Sequence, residues 1–129
     1  RAERRTYYGS YGKVRQLRAR TDVHFNCCQS VLAAFAQDMG LTEEQAYALG
    51  QGFGSGMQCG STCGALTGAL MVLGMTNYPQ EEISAFLRKF RENHGDINCA
   101  ALLKKSHEAG IPRKEHCDGL VFEVAEMLG

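Results

Sequence analysis

The sequence predicts an all-α protein: a compact bundle of about six helices, with a Gly-rich loop before a central buried helix. Three observations predict it. Apolar residues recur at helical spacing along most of the chain, no stretch alternates convincingly with period two, and capping residues precede several of the apolar stripes. At 129 residues and 44% apolar content the chain fits one domain able to bury a core without covalent staples. Within it we separate a basic N-terminal segment and helix, residues 1–25, from a helical cysteine-containing region, residues 26–129.

The elements follow in order. After an irregular start at 6–12, rich in Tyr and Gly, a basic helix is expected over about residues 13–23. Asn26 begins the next, whose stripe is Cys28, Val31, Leu32, Phe35 and Met39, and Gly40 stops it. Thr42 with Gln45 reads as a capping box for a short helix ending near Gly50. Residues 50–60 are too glycine-rich for regular structure. Thr62 then opens a helix that is apolar on nearly every side, as a buried central helix should be. Pro79 suits the first turn of a helix with Ile83, Phe86, Leu87 and Phe90 as its core stripe. Asn98 opens another, with Cys99, Leu102 and Leu103 facing inward. The last is expected from about Glu115, carrying Cys117, Leu120, Val121, Val124 and Leu128 on one face.

Composition narrows the function classes. Fourteen basic residues balance fourteen acidic ones, so nonspecific nucleic-acid binding is not expected. The basic start (Arg1, Arg4, Arg5, Lys13, Arg15, Arg18 and Arg20 against Glu3) reads as a solvated helix face. No apolar run reaches the roughly 20 residues of a membrane span. No secretory signal is visible, although the chain begins at Arg1 rather than Met, which leaves room for an upstream piece. Six cysteines exceed what packing needs, yet their spacing lacks the density of a secreted disulfide scaffold. A reducing, cytoplasmic setting with thiols kept for chemistry is the expectation.

Three cysteines share one local context. Cys27 follows Asn26, Cys63 follows Thr62 and Cys99 follows Asn98, so each is expected in the first turn of a capped helix. Free amides and the positive end of the helix dipole would there favour the thiolate. The three are evenly spaced, 36 residues from one to the next, a pattern compatible with a degenerate helical repeat. Helices that start at the same end of a bundle would bring them together. Cys117 would need a crossing connection, which residues 109–114 with Pro112 could supply. Cys28 reads as a packing residue, and Cys59 as an incidental thiol or a resolving partner for Cys63. Gly60 and Gly64 are candidates for close backbone approach to a cofactor. Gly64, Ala65, Gly68 and Ala69 also give the following helix small faces suited to close packing.

The run Asn26-Cys27-Cys28-Gln29-Ser30-Val31-Leu32, the segment from Gly60 through Cys63-Gly64-Ala65-Leu66-Thr67-Gly68 to Gly74, then Cys99 with Leu102-Leu103, and finally Cys117, resemble a bacterial family. It is the family of redox proteins named for its C-GCAxxG-C-C cysteine pattern, and the similarity extends from about residue 20 onward. The resemblance implies that Cys27, Cys63, Cys99 and Cys117 are the family's four cysteines, with Cys28 and Cys59 extra. It implies a redox role, with an iron–sulfur or other metal centre among the options, beside an electron-transfer partner protein.

Other motifs are weaker. No C-x-x-C occurs, so a thioredoxin-type motif, a zinc ribbon and a haem attachment site are unsupported. The glycine stretch is neither a P-loop nor a dinucleotide fingerprint. His24, His94, His107 and His116 are read as surface histidines, His116 adjoining Cys117. The leading expectation is a small redox protein in which Cys27, Cys63, Cys99 and Cys117 form one site. They would serve as redox thiols cycling to disulfide or as ligands of an iron–sulfur cluster. The alternatives are a structural zinc domain that binds a protein partner, and a thiol-dependent enzyme with Cys63 as nucleophile.

Overall fold

The structure is a computed structural model that describes residues 10–129; the irregular start expected at residues 6–9 lies outside them. The described residues are helical as expected, but they form eight α-helices rather than about six. In chain order these are α1 (Ser10–Ala19), α2 (Cys27–Ala34), α3 (Ala36–Met39), α4 (Glu43–Gly50), α5 (Gly64–Met75), α6 (Gln80–His94), α7 (Cys99–Glu108) and α8 (Arg113–Leu128).

The differences from the sequence expectation have local causes. The stripe from Cys28 to Met39 is divided at Phe35, whose backbone leaves the helical angles (φ −104°, ψ 11°) while its ring stays buried. Hydrogen bonds still run through the break, so α2 and α3 act as one kinked helix with its apolar side on the core. Helix α1 starts and stops earlier than expected. Beyond Ala19, Arg20 turns back to pair with Asp22 at 2.8 Å instead of extending the helix. Helix α8 begins two residues early, directly after Pro112, because proline in extended conformation suits a helix start.

The glycine-rich stretch is ordered into tight turns rather than an open loop. A single 3₁₀ turn covers Gln51–Phe53, and a wide turn, Gly56–Gly60, is closed by the Ser61 amide donating to the Gly56 carbonyl at 2.7 Å. Ser55, Met57 and Gln58 are left-handed there, a conformation that costs non-glycine residues.

Helices α2 and α5 are the central pair, with α1, α4 and α8 also packed on α2, and α6 and α8 on α5. Small residues permit the close crossing. A side-chain carbon on Gly68 would lie 3.1 Å from Cβ of Val31 and 3.2 Å from the Cys28 carbonyl oxygen. Phe90, Leu32 and Leu66 are fully buried, each contributing about 1.5–3 kcal/mol over an exposed position. Two of the expected caps form through side-chain hydrogen bonds: Thr42 pairs reciprocally with Gln45 as expected, and Asn26, expected as an N-cap, does the same with Gln29. The second box fixes where α2 starts, and therefore where Cys27 sits.

Candidate thiol site

Cys27, Cys63, Cys99 and Cys117 all line one cavity of about 450 Å³. Separate local devices bring them there. Cys27 is the first residue of α2, set by the Asn26–Gln29 box. Cys63 and Cys99 are brought side by side by a single antiparallel bridge between Thr62 and Asn98. In that bridge the Cys63 amide donates to the Ile97 carbonyl at 2.8 Å and the Cys99 amide to the Ser61 carbonyl at 2.6 Å. Thr62 therefore serves as a bridge residue, and Cys63 itself occupies the cap position of α5. Cys99 begins α7 behind Asn98, which caps it without a side-chain hydrogen bond.

Cys117 arrives differently. The early start of α8 puts it in the second turn of that helix rather than at its start. What holds α8 against α1 is a half-buried ion pair: Arg18 Nε donates to Asp118 Oδ1 at 2.7 Å, and another Arg18 nitrogen donates to the Phe25 carbonyl at 2.8 Å. Lys114 adds a bond to Asp118 at 2.9 Å. Burial alone would raise the Asp118 pKa, but Lys114 and Arg18 together hold it below the ordinary value.

The electrostatics reverse the expectation that helix starts make the thiolates. Cys27 is pushed well up, first by its hydrogen bond with Cys117 and then by burial. Burial also raises Cys63, although the Leu66 and Ala65 amides at the start of α5 oppose it, and burial raises Cys99. Two helix-end amides offset part of the desolvation of a sulfur that is only 3% exposed; they do not overcome it. Cys117 alone among the four goes down, to about 6. Its causes are the Cys27 thiol first, then the Arg18 and Arg113 guanidinium groups, against an opposing burial.

The remaining candidates separate clearly. Cys28 is fully buried in the core and pushed up to about 12 by burial, as a packing residue should be. Cys59 is exposed on the wide turn, its Sγ near the Gly56 carbonyl at 3.7 Å, and is absent from the cavity wall. Gly64 lines the cavity, and a side-chain carbon there would lie 2.8 Å from the Phe53 carbonyl oxygen. Gly60 does not line it; its absent side chain lets the turn approach Ala100 of α7. Gly56 does line it, and a carbon on that residue would lie 2.6 Å from Cβ of Cys99. His24 and His116 also border the cavity.

Sequence reasoning missed Arg18, Arg113, Lys114 and Asp118. Arg113 had a signal, since it stands four residues before Cys117 and so on the same helix face. Arg18 had none, because only the packing of α1 on α8 brings it to the thiols.

Among the described residues, no three His, Cys, Asp or Glu side chains are gathered closely enough to hold a metal ion. The thiols share a cavity without forming a ready ligand set for zinc or an iron–sulfur cluster. Nor is any described helix long and apolar enough to cross a membrane.

Fold and site together define an all-helical protein with four free thiols facing one basic-walled cavity. A family model described as "putative redox-active protein (C_GCAxxG_C_C)" matches residues 25–129. The chain belongs to that family, and all four cavity cysteines fall within the matched span. No curated protein and no solved structure matches the chain.

Proposed function

We propose that the protein is a dithiol–disulfide redox protein in which Cys117 is the reactive thiolate and Cys27 its partner. The observation that carries this reading is their juxtaposition: both thiols line the cavity beside Arg18, and their interaction lowers Cys117 to about 6 while raising Cys27. One sulfur is thus ready to attack near neutral pH while the other keeps its proton, the division of labour that thiol–disulfide exchange needs. Arg18, buried against Asp118, supplies a fixed positive charge to the pair. Cys63 is a poorer nucleophile, being buried and raised. With Cys99 it would line the cavity as a thiol. The two electrons of the reduced pair would pass to a disulfide, on a small molecule or on an electron-transfer partner protein.

The test is mapping of linked peptides after anaerobic oxidation of fully reduced protein with one equivalent of a small disulfide. The expected product joins Cys27 to Cys117, with two thiols lost and Cys63 and Cys99 still reduced; Cys117→Ser should not form it. Protein purified without air that carries iron and sulfide in stoichiometric amounts on these cysteines would replace this reading with cluster ligation. Protein that keeps all its thiols under oxidant would remove it.

A further inference from the structure

We propose that the cavity takes small, negatively charged disulfides as its redox substrates, an inference that rests on the thiol–disulfide reading above and names its substrate class. The chain as a whole is electrically balanced, with fourteen residues of each sign. The cavity wall is not. Among the described residues it carries Arg18, Arg20, Arg113 and Lys114, and no Asp or Glu.

Some of that charge is already opposed. Asp118 pairs with both Arg18 and Lys114, and Arg20 is held by Asp22 and Glu43. Among the described residues no carboxylate pairs with Arg113. It is exposed and spends one N–H on the Ser55 hydroxyl at 3.1 Å, and its charge falls on Cys117. Lys114, with 69% of its side chain exposed, stands beside it while sharing Asp118 with Arg18. Arg113 and Lys114 precede Cys117 by four and three residues, so they share its side of α8. An anionic disulfide arriving at this wall meets two accessible cations one helical turn from the attacking sulfur.

Size and lining agree with a small molecule. About 450 Å³ lies within the ordinary range for small-ligand sites. Leu17, Phe25 and Leu120 supply apolar wall for the methylenes beside a disulfide.

The exchange balances as follows. The Cys117 thiolate attacks one sulfur of RSSR; the S–S bond breaks, Cys117 carries a mixed disulfide, and RS⁻ leaves beside the cationic wall. The Cys27 thiol gives its proton to that RS⁻, and the Cys27 sulfur attacks Cys117 Sγ, expelling the second RS⁻. The protein gains one disulfide and RSSR gains two electrons.

The test oxidises fully reduced protein near pH 7 with three probes: glutathione disulfide (anionic), hydroxyethyl disulfide (neutral) and cystamine (cationic). Each rate is divided by that probe's rate with free dithiothreitol. The expected result is a preference for glutathione disulfide over cystamine of about tenfold or more at low salt, falling in about 0.5 M salt. Lys114→Gln should reduce the ratio of glutathione disulfide to neutral probe, and Arg113→Gln/Lys114→Gln should reduce it further. Using that ratio cancels any change in thiolate caused by losing Arg113. Equal normalised rates for all three probes, with Cys27–Cys117 still formed, would overturn the substrate class and leave the thiol couple standing. A preference unmoved by the double variant would also overturn it. Failure of every probe to form Cys27–Cys117 would sink both.

Discussion

If Cys27 is what makes Cys117 a thiolate, replacing it should change the pH dependence of Cys117 far more than its reactivity at neutral pH. With a pKa of about 6, Cys117 is about nine-tenths thiolate at pH 7, against about 3% for an ordinary thiol near 8.5. That roughly thirtyfold difference is mostly offset, because a thiolate of higher pKa is more nucleophilic by about tenfold over this span. The net loss at pH 7 is only about two- to threefold. At pH 5 the thiolate populations differ by about three-hundredfold, so the same correction leaves about twentyfold. These figures are ceilings for Cys27→Ala, since Arg18 and Arg113 still act on Cys117 in the variant. The assay is the rate of iodoacetamide labelling of the Cys117 peptide, resolved by mass spectrometry from pH 5 to 9. We expect a wild-type midpoint near 6, a higher one for Cys27→Ala, and an intermediate one for Cys27→Ser, whose hydroxyl can still donate. Superimposable wild-type and Cys27→Ala profiles would refute the reasoning. So would an equal loss at pH 5 and pH 7, which would indicate altered access rather than altered ionisation.

Two further outcomes follow from the same geometry. The folded pKa of Cys117 lies below its unfolded value, so the unfolded chain holds more protons between about pH 6 and 8.5 and Cys117 stabilises the fold increasingly across that window. Cys27 has the opposite sign, its stabilisation fading above the unfolded thiol value. The urea midpoint of wild type minus that of Cys117→Ser should therefore rise from pH 6 to 8.5 and then level or fall; a flat difference would mean that the two thiols are not coupled. Gly64→Ala should destabilise by about 1–3 kcal/mol despite alanine's better helix propensity, because its new carbon would meet the Phe53 carbonyl oxygen at 2.8 Å and the Cys28 amide at 3.2 Å. A raised urea midpoint for that variant would show that α2 and α5 are less closely packed than described.

Much of this arrangement was legible because its signals are local. The caps at Asn26 and Thr42, the all-round apolar character of α5 and the small residues at Gly64 and Gly68 act within one helix or one crossing. The kink at Phe35 was not legible, since nothing in the residues around it marks a break and hydrogen bonds continue through it. Cys27, Cys63 and Cys99 line one cavity, and the even 36-residue spacing that pointed to such a meeting is visible in the chain. The bridge at Thr62 and Asn98 that sets two of them is not, because one isolated pair leaves no period-two pattern in the sequence.

The ionisation of the thiols depends on a balance that local signals cannot supply. A helix start favours an anion by an amount that varies little from helix to helix, whereas desolvation varies with how deeply each sulfur is packed. Cys63 has the better backbone position and Cys117 the worse, yet Cys63 is raised and Cys117 lowered. The difference lies in what reaches each sulfur through space. Cys63 is closed in by hydrocarbon and other thiols, while Cys117 receives a thiol from α2, a guanidinium from α1 and another from its own helix. Of these three, only Arg113 is encoded within reach of Cys117 along the chain. The Arg18–Asp118 contact that docks α1 on α8 therefore does two jobs with one pair of side chains: it brings Cys117 to Cys27, and it supplies part of the charge that lowers it.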